Sequence, residues 1–157
     1  MNRWEYLLTP AYRLRHAIAA HLVAECQAVV DVGAYRLPLP VSQVLYSIDP
    51  LATIPDAHHC TVSEFWAHHG DLAGFGLVVL GLDMTGGASE MHALRAMMDA
   101  ASATVLEWAT GYGPSSEQAA WLMAERTLDV DMTLRLPEVC CDGYPARRER
   151  RLVCWTR

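Results

Sequence analysis

Between Ala28 and Pro50 the chain reads AVVDVGAYRLPLPVSQVLYSIDP, and two short runs inside this stretch decide the fold. Ala28-Val29-Val30-Asp31-Val32 is apolar and β-branched, the composition of a strand buried on both faces, and it stops at Gly33. Val44-Leu45-Tyr46-Ser47-Ile48 repeats the pattern and ends on an acid, Asp49. Two parallel strands, one closing on a glycine and the next on a carboxylate, are how doubly wound α/β sheets hold a nucleoside. A charged tail then lies near the glycine turn and the ribose hydroxyls on the acid. The stretch therefore predicts a nucleoside-type pocket. Its connection is short: Tyr35 to Ser42 contains Pro38 and Pro40, which remove donors and push the preceding residues out of the α region. A loop, or at most one helical turn, is expected there.

Downstream, Phe75 to Leu82 carries no charged residue and reads as the central strand. Asp83-Met84-Thr85-Gly86-Gly87 follows at its C-terminal end, the edge where open α/β sheets place ligands. Asp83 is thus the candidate catalytic carboxylate, one that orients or deprotonates a substrate, with capping of the next turn as its competing role. Ala88 or Ser89 starts a helix running to about Ala103, with Met91, Leu94, Met97 and Met98 on its apolar stripe. Thr104 to Thr110 reads as a further strand, and Ser115 or Ser116 caps a helix to about Thr127, with Glu117 or Gln118 close behind. Trp108 and Tyr112 lie near the ligand-bearing edge, placed to stack on a flat substrate or to pack on the adjacent helix. Leu128 to Leu136 alternates strictly, the mark of a half-exposed strand; Pro137 to Arg150 reads as a long turn, and Arg151 to Trp155 as a returning strand.

Upstream, Trp4 to Cys26 reads as a helix with a leading segment, Thr9 as N-cap, Pro10 at the first helical position, and Leu14, Ile18 and Leu22 at helical spacing. Tyr6 and Tyr12 precede or open it. Residues 1–27 are expected to pack as a helical segment on one domain spanning residues 1–157. His58 to Phe65 is expected to hold a short third strand. His58, His59, His68 and His69 form two pairs, and imidazole is both a general base and a metal ligand. Neighbours on a strand point to opposite faces, so at most one of each pair is expected at a common site, and a structural role is the commoner one.

Three of these stretches, Asp31-Val32-Gly33, Ser47-Ile48-Asp49 and Gly74-Phe75-Gly76-Leu77-Val78-Val79-Leu80, resemble the first, second and fourth strands of the class I S-adenosylmethionine-dependent methyltransferases. The closing pair of strands resembles the antiparallel end of that family's sheet. By order and spacing the resemblance covers most of the chain. It implies an α/β fold with a doubly wound, mostly parallel sheet of about seven strands and an antiparallel C-terminal hairpin. It also implies S-adenosylmethionine as cofactor, with Asp31, Gly33, Ala34 and Tyr35 near the methionine moiety and Asp49 on the ribose. Glu64 or Asp71 would lie near the adenine amine, and the spacing leaves both open. The chain departs from the family at the glycine-rich turn, where Tyr35 and Leu37 stand in place of further glycines and put a Cβ where the backbone would meet the cofactor. Two functions follow: a small methyltransferase acting on a small molecule or a partner-presented acceptor, or a methyltransferase-like protein without cofactor that serves as a binding or assembly subunit.

The bulk composition agrees with one ordinary domain of 157 residues, 52% hydrophobic and 19% charged. That balance excludes a disordered chain and leaves room for self-association as a homo-oligomer. A formal charge of -6 argues against a nucleic-acid groove, since basic residues cluster only in Arg147-Arg148-Glu149-Arg150-Arg151, which reads as a solvated turn. Five cysteines without regular spacing fit reduced thiols, and no metal knuckle is expected. No apolar stretch reaches membrane-spanning length, and Met1 to Thr9 has no signal-peptide core, so a cytoplasmic protein without membrane contact is expected.

Overall fold

The computed structural model describes residues 10–33 (backbone alone for 10–12), 39–52, 54–83, 86–111, 113–135 and 149–157. Along the chain run α1 (Pro10–Leu22), β1 (Val29–Val32), β2 (Val44–Ile48), α2 (Val62–His69), β3 (Gly76–Leu80), α3 (Gly87–Ala100), β4 (Ala103–Ala109), α4 (Ser116–Met123), β5 (Val130–Arg135) and β6 (Glu149–Thr156). The strands form one sheet in the order β2-β1-β3-β4-β6-β5. β2, β1, β3 and β4 pair in parallel, and β6 runs antiparallel between β4 and β5. The fold is α/β with a mostly parallel sheet and an antiparallel C-terminal pair, as the strand patterns imply, but the described residues form six strands rather than seven.

The missing strand is the one expected over His58 to Phe65. Only His58 pairs there, in a single parallel bridge with Ile48, and the chain then turns into α2. Thr61-Val62-Ser63-Glu64 is the reason. The Thr61 hydroxyl accepts from the Glu64 N–H at 3.3 Å while Glu64 Oε2 accepts from the Thr61 N–H at 2.8 Å, a reciprocal cap that satisfies two orphan donors and nucleates a helix. Phe65, four residues beyond Thr61, is then buried against the sheet.

Side-chain alternation on the strands builds two cores. Val30, Val32, Leu77, Val79 and Leu106 face Phe65 of α2, Leu94, Met97 and Met98 of α3, and Ala119 and Leu122 of α4. Val29, Val78, Leu80 and Val105 face Ala19 and Val23 at α1, together with Leu39. Helices therefore cover both faces, three on one side and α1 on the other. α4 begins as its sequence implies, with Ser115 and Gln118 in a second reciprocal cap. β5 alternates between half-buried and exposed positions along its length.

The basic cluster departs from its reading as a solvated turn. Arg147 and Arg148 lie outside the described residues, but Arg150 is buried within β6 and Arg151 makes a two-pronged ion pair with Asp131, at 2.9 and 2.8 Å. Antiparallel pairing of β6 to β4 sets Arg150 opposite Ala109, two residues beyond Glu107 and on the same face, and the arginine chelates that carboxylate. Tyr6, Tyr112 and the side chain of Tyr12 also lie outside the described residues. No helix among the described residues is long and apolar enough to cross a membrane.

Candidate functional site

Parallel pairing of β1, β2 and β3 brings their C-terminal ends to one edge, and the following turns enclose a cavity of about 410 Å³ there. Gly33 closes β1, Asp49-Pro50-Leu51 follows β2, and Gly81-Leu82-Asp83 follows β3; all of them line it. Gly86, Gly87, Glu90, Met91 and Leu94 from the start of α3 form a wall, with Cys60 and Val62 from the entry to α2. The volume lies within the range of small-molecule sites.

Gly33 has φ +84°, and a Cβ there would stand 2.7 Å from the Leu80 carbonyl oxygen. Its N–H donates to the Ile48 carbonyl at 2.8 Å. Glycine is thus demanded by the close approach of β1 to the end of β3, and this approach shapes the cavity floor. Asp49 Oδ1 accepts from the Leu51 N–H at 2.7 Å, which folds the turn after β2 around its own carboxylate. Burial raises the Asp49 pKa, the Leu51 N–H works against this, and repulsion from Asp83 adds to the rise. Two carboxylates therefore share the strand edge, an arrangement that favours a cationic guest.

Three of the other expected site residues, Asp31, Glu64 and Asp71, do not line this cavity. Asp31 does not line the cavity: it is only 2% exposed, faces the α1 side of the sheet, and accepts from the Leu39 N–H at 2.8 Å. Burial raises its pKa to about 7, with the Leu39 N–H and Arg15 pulling down and Asp49 pushing up. It closes the β1–β2 connection; of that connection the described residues 39–43 are loop and turn, with no helix. Ala34 and Tyr35 lie outside the described residues. Glu64 is spent on the α2 cap, and Asp71 is exposed beyond the end of α2; neither lines the cavity. The carboxylate on that wall is Glu90, which the sequence reading passed over as one more residue of an apolar-striped helix. Asp83 does line the cavity and is exposed. Trp108 is buried under the Arg151 guanidinium, 5.6 Å from its ring centroid, and does not line the cavity.

All four histidines of the two pairs line a second cavity of about 470 Å³ with Cys60, Glu64 and Phe65. Because residues 62–69 are helical rather than extended, both members of the second pair reach it. His69 stacks on Phe65 at 4.4 Å and leans on Tyr46 at 4.8 Å, while His58 meets Tyr46 edge-on at 5.1 Å. These contacts make an aromatic cluster beside β2, an edge strand of the sheet. Among the described residues no group of three or more His, Cys, Asp or Glu side chains is placed to hold a metal ion.

No family model matches the chain. No curated protein matches it either. The solved structure of Thermoplasma acidophilum 1320 is similar to it at 12% identity, over 89% of this chain and 85% of that one, with a TM-score of 0.44, a likeness too loose to bear on function.

Proposed function

We propose that this chain is a small S-adenosylmethionine-dependent methyltransferase acting on a small molecule or on an acceptor presented by a partner protein. The observation that carries the reading is that Asp49 and Asp83 both line a largely apolar cavity on the C-terminal edge of the parallel strands. A ligand that is cationic and carries a diol suits that set of groups: Asp49 accepts from the hydroxyls, and the positive charge relieves the repulsion between the two carboxylates. When bound, the cofactor supplies an electrophilic methyl group. The chain's own contribution is then placement, with the apolar lining excluding water and the exposed Asp83 assigned to hold an acceptor or take its proton. Calorimetry with S-adenosylmethionine and S-adenosylhomocysteine tests the reading; absence of heat with either ligand at millimolar concentration overturns it.

A second reading, a methyltransferase-like binding or assembly subunit without cofactor, is favoured by two observations. Asp31, expected beside the methionine moiety, is buried and occupied by Leu39. Leu51, on the cavity rim, is 72% exposed, an apolar contact of the kind a partner covers. The same calorimetry separates the two readings.

A further inference from the structure

A cleft of about 320 Å³ lies between α3, the exit of α4 and the end of β6, lined by Arg95, Asp99, Glu125, Arg126, Trp155 and Arg157 among others. The end of β6 pairs with the start of β4, Thr156 opposite Ala103, so this cleft is on the edge of the sheet away from the cavity described above. Two of its arginines are fixed by backbone and by aromatic rings. Arg95 Nη1 donates to the Trp121 carbonyl, and its guanidinium lies 4.9 Å from the Trp121 ring centroid. The chain leaves α4 through Glu125, at φ +66°, and Arg126 reaches back to the helix end. Its Nη1 donates to the Leu122 and Ala124 carbonyls at 2.9 and 3.1 Å, and its guanidinium lies 5.4 Å from the Trp155 centroid.

The charges in the cleft do not balance. Asp99 is engaged by Arg126 Nη2, and the exposed Glu125 forms no ion pair among the described residues. Arg95 and Arg157 have no carboxylate partner among the described residues either. Burial lowers the Arg126 pKa, Asp99 opposes this, and Arg95 and Arg157 lower it further, the mark of three cations close enough to repel one another. A guanidinium has five N–H donors and no acceptor, so the bonds just named leave donors over on each of the three.

We propose that this cleft binds a phosphate group, either as inorganic phosphate or as the phosphoryl end of a small monoester. The three guanidinium groups come from three different elements, so their guest needs acceptors facing several ways. A tetrahedral dianion has them, whereas a carboxylate keeps its two oxygens in one plane and carries one charge. A neutral guest leaves the repulsion among the arginines in place, and a cation adds to it.

The test is calorimetry on the full chain at low ionic strength with sodium phosphate, glycerol 3-phosphate and sodium acetate, for wild type, Arg95→Gln and Arg157→Gln. Wild type is expected to bind phosphate or its monoester at millimolar concentration and acetate about tenfold or more weakly. The Arg157 side chain makes no bond to the described residues, so Arg157→Gln should melt as wild type does while weakening phosphate about tenfold. Arg95→Gln should weaken it by a similar factor. Preference for glycerol 3-phosphate supports the site with a monoester as its guest, and preference for phosphate supports it with the free anion. Heat from neither phosphate, acetate bound as tightly as phosphate, or a phosphate affinity that Arg157→Gln leaves unchanged overturns the proposal. Arginines that serve only to hold the end of α4 would give that last result, with Arg95→Gln lowering the melting temperature alone. Should Arg95→Gln fail to fold, Arg157→Gln decides.

Discussion

Arg15 Nη1 donates to Glu107 Oε2 over 3.1 Å, joining α1 to β4, a central strand of the sheet, through two side chains that are 92 positions apart. Glu107 is completely buried, and Arg150 of β6 grips the same carboxylate from the other side, at 3.2 Å through Nη2 and more closely through Nε. The Gly81 N–H, from the turn that lines the cavity, completes the set at 2.8 Å. One carboxylate thus holds α1, β6 and the β3 exit in register. Burial alone would raise its pKa, but Arg15, Arg150 and Gly81 together hold it below the usual value.

Glu107→Ala is expected to destabilise the fold by about 3–5 kcal/mol, because it removes the buried carboxylate that Arg15 and Arg150 share. Urea denaturation at neutral pH measures it, and a loss under about 1 kcal/mol would show that the cluster relaxes without cost. Since the folded pKa of Glu107 is depressed, its contribution is present above the unfolded value near 4.3 and fades as pH falls through the folded one. The variant and wild type should therefore converge in stability toward low pH.

Asp31 works in the opposite sense. Its folded pKa, about 7, lies above the ordinary carboxylate value, so the native state holds a proton that the unfolded chain has released. The stabilisation is full below about pH 4 and is lost as pH rises through about 7, with a ceiling of about 4 kcal/mol for a shift of this size. Asp31→Asn keeps an oxygen to accept from Leu39 and has no proton to lose. The difference in unfolding free energy between variant and wild type should slope across pH 5–7 and be flat above pH 8; a difference independent of pH would refute the buried-proton assignment.

Much of the sheet was legible because strands buried on both faces are dominated by apolar residues: β3 carries nothing else, and β4 is apolar apart from Thr104 and Glu107. The caps were legible too, and Thr61-Val62-Ser63-Glu64 carries the same signature as Ser115-Ser116-Glu117-Gln118. Reading His58 to Phe65 as a strand followed the family order of elements over that local cap. Arg150 and Glu90 were hidden for a different reason. Their roles depend on partners at long range, Glu107 at 43 positions and Ser63 at 27, and no local pattern records such a pairing. Asp49 and Asp83 were readable as neighbours of one cavity because strand ends in a parallel sheet converge whatever the long-range side-chain contacts are.

Asp49→Ala should weaken S-adenosylmethionine binding by about 1.5–3 kcal/mol, the worth of hydrogen bonds to a charged acceptor. Glu64→Ala should leave that affinity unchanged and instead lower the stability of the fold by about 1 kcal/mol through loss of the α2 cap. Calorimetry and thermal melts on both variants check the pair, and a binding defect in Glu64→Ala with an intact melt would return Glu64 to the site.

Gly33→Ala bears on how the cavity is made. At φ +84° any side chain is strained, and here the added Cβ would meet the Leu80 carbonyl oxygen at 2.7 Å, on a residue paired with Glu107 of β4. Neither strand can yield alone, because the Gly33 N–H is itself committed to the Ile48 carbonyl. The β1 exit must then swing outward, breaking that hydrogen bond and moving the turn that borders Asp49. The expected cost is about 2 kcal/mol or more of stability, beyond the 0.4–1 kcal/mol by which a tolerated glycine-to-alanine change stabilises a protein. Ligand affinity should fall with it, since Gly33 and Leu80 both line the cavity. A Gly33→Ala protein of wild-type stability would mean that the β1 and β3 exits are not held together by this contact, and that the cavity floor is set elsewhere.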